Sequence, residues 1–137
     1  MTVKSIKVLK GKRIKNYKGD IIKFISKKDK VFKKFGEIYF SEIKKNKTKG
    51  WNFHKRYTCL LIVPFGKVEF LIANRLLKKT KKIILSDKNC KILQIPPKYW
   101  FCFRSLVKKS IIANILDNVH NSNETKKSNM IQSIKIK

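Results

Sequence analysis

Tyr57-Thr58-Cys59-Leu60-Leu61-Ile62-Val63-Pro64-Phe65-Gly66-Lys67-Val68-Glu69-Phe70-Leu71-Ile72-Ala73-Asn74 is the stretch that decides the fold class. A run rich in β-branched and aromatic residues, Tyr57–Val63, meets the turn signal Pro64-Phe65-Gly66 and resumes as Val68–Asn74. Each half has the length of a strand and is too short for an ordinary helix, and proline with glycine closes the first. In the second half Val68, Phe70, Ile72 and Asn74 share one side, and Lys67, Glu69, Leu71 and Ala73 share the other.

The same grammar extends outward. Upstream, Ile6–Leu9 ends at Gly11, Asp20–Ile25 follows Gly19, and Val31–Ile43, interrupted at Gly36, ends at Lys44-Lys45-Asn46. Downstream, Lys82–Leu85 precedes Ser86-Asp87-Lys88-Asn89, Lys91–Ile95 stops at Pro96-Pro97, and Tyr99–Arg104 and Ser110–Leu116 follow. Helical periodicity is hard to find. Roughly ten short strands at this spacing predict an all-β sandwich or closed barrel. Alternation puts Glu37, Tyr39, Ser41 and Ile43 on one face, with Ile38, Phe40 and Glu42 on the other. A chain of 137 residues supports one core. The predicted domain is residues 1–120. Residues 121–137 form a polar C-terminal tail or edge segment, whose Ile131, Ile134 and Ile136 suit a last helical turn or an edge strand.

Apolar residues at 42% and aromatics at 11% exclude an intrinsically disordered chain. The formal charge of +27 first suggests a nucleic-acid partner. The finer count weakens that, because only Arg13, Arg56, Arg75 and Arg104 carry the planar guanidinium on which phosphate and base readers lean. Lys, Ile and Asn, all with A/T-rich codons, supply 60 of the 137 residues, so base composition explains the lysine excess without any binding role. A nucleic-acid partner is therefore not expected. Lys4, Lys7 and Lys10 interrupt any leader-like run, and Cys59–Val63 and Tyr99–Phe103 fall far short of the ~20 apolar residues of a spanning helix, so no membrane partner is expected either. Cys59, Cys90 and Cys102 are odd in number and lack C-x-x-C spacing, which argues against a disulfide framework and for a cytoplasmic protein.

From Gly36 to Glu124 the motifs come in a telling order: Gly36-Glu37-Ile38-Tyr39-Phe40-Ser41-Glu42-Ile43, Lys49-Gly50-Trp51-Asn52-Phe53-His54-Lys55, Gly66-Lys67-Val68 and Ile95-Pro96-Pro97-Lys98-Tyr99-Trp100-Phe101. This resembles the sugar-nucleotide cupins, specifically the dTDP-4-dehydrorhamnose 3,5-epimerase-like family and the related dTDP-4-keto-6-deoxyhexose 3,4-ketoisomerases. The resemblance implies a double-stranded β-helix jelly roll, a homodimer, and an active site inside the barrel mouth. It implies a nucleotide-sugar substrate, an NDP-4-keto-6-deoxyhexose, used in surface polysaccharide synthesis. In metal-binding cupins of this register the ligand positions fall on Asn52, His54, Cys59 and Phe101. His54 with Cys59 is too small a set for a divalent ion, so no metal and no other cofactor is expected.

The implied chemistry is proton abstraction beside a ketone, with donors stabilising the enolate. The epimerase motif Arg-Gly-Leu-His reads Lys49-Gly50-Trp51-Asn52 here, so Asn52 stands at the base position. The family's Lys and second His positions hold Cys59 and Phe101, and its acid-Tyr region reads Asp117-Asn118-Val119-His120. The ketoisomerase motif His-Ala-His-Lys fits better, as Asn52-Phe53-His54-Lys55 keeps the second His and the Lys. By the resemblance His54 is the base and Asn52 polarises the keto oxygen. Lys49, Lys55 and Arg56 contact anionic groups, Glu37, Tyr39 and Ser41 sit at nucleotide-contacting positions, and Phe101 walls the pocket. Trp51 belongs to a dimer interface or to the core. Two other functions stay open: a catalytically silent cupin that binds a nucleotide sugar or small anion, and a non-specific anionic-polymer binder using the basic surface.

Overall fold

The decisive stretch folds as two strands in two different sheets. The chain turns at Gly66, which adopts φ +95° and lies so close to the Ser110 side chain that a Cβ there would collide with it. The computed structural model describes residues 6–74, 79–119 and 125–127, and its elements are all strands. They are β1 (Lys7–Lys10), β2 (Lys12–Ile14), β3 (Ile21–Lys23), β4 (Glu37–Lys44), β5 (Thr48–His54) and β6 (Cys59–Phe65). β7 (Lys67–Ala73), β8 (Thr80–Ser86), β9 (Lys91–Ile95), β10 (Trp100–Ser105), β11 (Lys109–Leu116) and β12 (Thr125–Lys127) complete the set.

One five-stranded sheet has the order β1-β9-β6-β11-β4, the other β12-β5-β10-β7-β8, and β2-β3 form a separate ribbon. Every pairing within these sheets is antiparallel. From β4 to β11 the chain changes sheet at every connection but the β7–β8 hairpin, which is the winding of a double-stranded β-helix jelly roll. The core between the sheets comes from alternate residues of facing strands: Cys59, Leu61 and Val63 of β6 against Val68, Phe70 and Ile72 of β7, with Phe101 and Phe103 of β10.

The outer faces are apolar as well. Leu60, Ile62, Ile92 and Ala113 are covered by Leu9, Phe24, Ile25 and Val31 from the N-terminal segment. Across the sandwich Trp51, Leu71, Ala73 and Cys102 pack together with Trp100. Arg104 closes that face with a 3.0 Å ion pair to the buried Glu69. Trp51, 1% exposed, is therefore buried within its own chain.

The expected run Val31–Ile43 is not one strand. β4 starts only after Gly36, whose N–H donates to the Leu116 carbonyl at 2.8 Å and whose missing Cβ leaves room for the Asn118 backbone. Val31 instead packs on the outer face of the first sheet. Pro64, expected to end its strand, lies within β6. The missing N–H is tolerated because the β6–β11 register shifts between Ile111 and Ala113, opposite that point. The strands over Thr48–His54 and Lys12–Ile14 were not among the expected runs. Arg75, His120 and the isoleucines of the C-terminal tail lie outside the described residues, while Thr125–Lys127 pairs with the end of β5. Among the described residues no helix is long and apolar enough to cross a membrane.

Burial pushes the Cys102 thiol up to about 12. In alkali the folded chain keeps a proton that the unfolded chain has lost, so this group's contribution to stability falls as pH rises above ~9. The slope from one such thiol approaches about 1.4 kcal/mol per pH unit. Urea unfolding at a series of alkaline pH values should show a shallower decline for Cys102→Ala than for the parent, and equal slopes would contradict the assignment.

Candidate active site

Apart from the Ser105–Ser110 pair that joins β10 to β11 at one end, the polar side chains of the interior phase lie on one flank, along β4 and β5 and the neighbouring Asn114 of β11. The interior phase of β4 carries Glu37, Tyr39 and Ser41 before it reaches the buried Ile43. Facing it, β5 carries Lys49, Asn52 and His54. Lys49 Nζ donates to Ser41 Oγ at 2.9 Å, which ties the two strands' interior faces together across the sheets.

Strict alternation forbids that grouping, because Lys49 and Asn52 are three residues apart and belong to opposite faces. A bulge resolves it. Phe103 pairs with Lys49 and Cys102 with Gly50, but Phe101 pairs with Asn52, so Trp51 is the extra residue. Trp51 and Phe53 turn outward, toward Cys102 and Trp100, while Lys49, Asn52 and His54 all turn inward, alongside Phe101 and Phe103. Gly50 makes the bulge possible. Its φ is +116°, and a Cβ there would lie 2.8 Å from Cys102 Cα and from the Phe101 carbonyl oxygen.

The predicted residues divide accordingly. His54 is 7% exposed, with its ring centroid 6.1 Å from that of Tyr57 and 6.2 Å from that of Phe101, in stacked arrangements. The His54 carbonyl accepts from Lys98 N–H at 2.8 Å, which anchors the end of β5 to the loop before β10. Asn52 is half-buried on the same face, opposite Phe101, which is itself fully enclosed. Glu37 is half-buried at the start of β4. Lys55 and Arg56 follow β5 in an exposed turn, at the same end of the sandwich as His54 but off the interior face.

The residue that sequence reasoning missed is Asn114. It sits in the core phase of β11 between Ile112 and Leu116, and its Nδ2 donates to Tyr39 Oη at 3.0 Å. The available signal was a polar residue at a position where alternation demands an apolar one. Burial raises the Tyr39 phenol above its ordinary range. Nearby Cys59 adds to this, the Asn114 hydrogen bond opposes it, and Glu37 contributes least. Among the described residues no three His, Cys, Asp or Glu side chains converge as metal ligands do. A cavity of about 770 Å³ lies at the opposite end of the sandwich, lined by Phe65, Lys67, Asp87, Lys88, Val107 and Lys108, none of them a predicted site residue.

A jelly roll with a polar strip on one inner flank is the architecture of a cupin. Residues 4–133 match the family described as FdtA, WxcM-like, C-terminal, and the chain belongs to that family. The fold is similar to that of a dTDP sugar isomerase from Desulfovibrio desulfuricans G20 (TM-score 0.89, 25% identity, covering 96% of this chain and 88% of that one). It also resembles QdtA, a sugar 3,4-ketoisomerase from Thermoanaerobacterium thermosaccharolyticum solved with TDP (0.82, 19% identity, 95% and 93% covered). A dTDP-4-dehydrorhamnose 3,5-epimerase from Bacillus anthracis, solved with TDP and PPi, has a TM-score of 0.80 at 20% identity, covering 89% of this chain and 77% of that one. No curated protein sequence matches the chain.

Gly50→Ala forces both a left-handed backbone on alanine and a collision with the β10 backbone, and should cost about 3 kcal/mol. Urea denaturation measures it. A loss below about 1 kcal/mol would mean that the bulge is not held by this glycine.

Proposed function

We propose that this protein is a metal-independent epimerase or keto-isomerase that moves a proton beside the 4-keto group of an NDP-4-keto-6-deoxyhexose. Membership of the FdtA, WxcM-like family supports the reaction class. The observation that carries the residue roles is the bulge, which turns Lys49, Asn52 and His54 to one interior face. In the proposed step neutral His54 takes the proton from C3, the C–H electron pair becomes the C3–C4 double bond, and the carbonyl electrons move onto oxygen. The Asn52 amide donates to that oxygen, and Lys49 holds negative charge at the strip's outer end. Passing the C3 hydroxyl proton to the C4 oxygen while His54 returns its proton to C4 makes C3 the ketone; protonating C3 on its other face, from a donor other than His54, as the C4 carbonyl re-forms inverts that carbon. Lys55 and Arg56, exposed beside the same end, are assigned to the pyrophosphate, Glu37 to nucleotide contact, and Phe101 to the wall behind His54. The working unit is taken to be a homodimer in the cytoplasm, serving surface polysaccharide synthesis.

One observation favours a second reading. His54 is enclosed between Tyr57 and Phe101, and asparagine holds the neighbouring position at which the related epimerases carry their base. That arrangement suits a silent cupin that binds a nucleotide sugar without converting it.

NMR of dTDP-4-keto-6-deoxyglucose with the protein in heavy water separates the two. Deuterium at C4 with the ketone moved to C3 is the keto-isomerase outcome, and deuterium at both C3 and C5 is the epimerase outcome. Saturable binding of the sugar nucleotide without exchange overturns the enzyme reading in favour of the silent binder. His54→Ala should slow exchange by on the order of a hundredfold or more while the far-ultraviolet circular dichroism is kept. Full exchange in that variant would remove His54 from the role of base.

A further inference from the structure

Asn114 is 4% exposed in the middle of β11, and its side-chain amide is divided between two situations. Nδ2 donates to Tyr39 Oη at 3.0 Å and lies 3.8 Å from Cys59 Sγ, whereas Oδ1 is buried with no hydrogen-bond partner among the described residues. An amide enclosed with one end unsatisfied works against folding, and a leucine between Ile112 and Leu116 would avoid that loss. Packing therefore gives no reason for asparagine here.

What the amide does, and leucine cannot, is fill a lone pair of the Tyr39 hydroxyl with an N–H. A phenol that accepts from Asn114 must send its own proton elsewhere. Tyr39 is 41% exposed on the interior phase of β4, between Glu37 and Ser41, and Ser41 is in turn bonded to Lys49 of the bulged strand. The donor direction of Tyr39 is thus fixed from behind, by a residue 75 positions away in sequence.

We propose that Asn114 is a positioning residue that makes Tyr39 a proton donor to the ligand in the strip lined by Lys49, Asn52 and His54. The role of that ligand rests on the enolisation reading above. As the C3 proton leaves and negative charge gathers on the carbonyl oxygen, the Tyr39 O–H bond breaks and an enol O–H bond forms. The charge then rests on Tyr39 Oη, where the Asn114 N–H stabilises it, and the proton returns when the ketone re-forms. The other groups acting on that phenol are Cys59 from β6 and Glu37 from its own strand, both of which oppose its ionisation.

The test uses Asn114→Leu and Asn114→Asp, with Tyr39→Phe to identify the Tyr39 transition in ultraviolet difference titration. Asn114→Leu should keep a Tm at or above that of the parent, raise the Tyr39 midpoint, and lower kcat on the order of tenfold with KM within about twofold. Asn114→Asp, which replaces the donor by an acceptor for the Tyr39 proton, should raise the midpoint further, and it carries the titration if the leucine variant fails to fold. A Tyr39 midpoint unmoved in both variants overturns the proposal, as does a lowered Tm with an unchanged midpoint, which is the mark of a packing role. If the parent shows no deuterium exchange, the enolisation reading fails and the proton-donor role falls with it, whereas the titration still decides whether Asn114 controls Tyr39.

Discussion

The one-residue bulge between β5 and β10 governs which side chains this barrel can use. A strand's side-chain period is two, so a single inserted residue exchanges the faces of everything beyond it. Because Trp51 is the inserted residue, Lys49 on one side of it and Asn52 and His54 on the other converge on the interior. The same insertion sends the indole outward, where Leu71, Ala73 and Cys102 enclose it. Packing on the outer face and polarity on the inner face are thus two consequences of one register shift, and Gly50 is the residue whose backbone permits it.

The central strands of the two sheets are buried on both faces, and that condition explains what could be read from sequence. A strand enclosed on each side shows as a continuous apolar run, as Cys59–Val63 and Val68–Ala73 do. Such runs locate strands well, and the expected Lys91–Ile95 coincides with β9. The rule fails where apolar residues serve as cover. Val31 is apolar because it lies on a sheet, not because it belongs to one, so the run into β4 starts too early. It fails equally for β5, whose first residues, Thr48 and Lys49, are polar and exposed and give no strand signal. The jelly-roll winding followed from the family resemblance rather than from the runs.

Legibility of the site follows the same division. Alternation alone joins Asn52 to His54, since they are two apart. It places Lys49 on the wrong face, and only pairing with β10, some fifty residues downstream, corrects it. Asn114 and Tyr39 meet across the β4–β11 ladder, a contact that neither segment announces by itself. Charge misleads in the opposite direction, because lysine is so common that Lys55 and Lys49 look alike in sequence, yet one is exposed in a turn and the other is bonded across the sheets.

The polar strip lies on the β4–β5 flank for a physical reason. The opposite flank, where β8 and β9 meet, is filled by Ile83, Leu85, Leu93 and Ile95, and polar groups there would be buried without water or partners. β4 is an edge strand and β5 has only the three-residue β12 beyond it, so side chains between them keep a path to solvent while their backs rest on the apolar core. Tyr39 at 41% exposure and His54 at 7% mark the two ends of that gradient. Hydrogen bonds and charges at the inner end act in a poorly polarisable surrounding, where a fixed donor stabilises developing negative charge more than the same donor does in water. The Asn114–Tyr39 hydrogen bond lies on that gradient, and the β4–β11 register sets its direction before any ligand arrives.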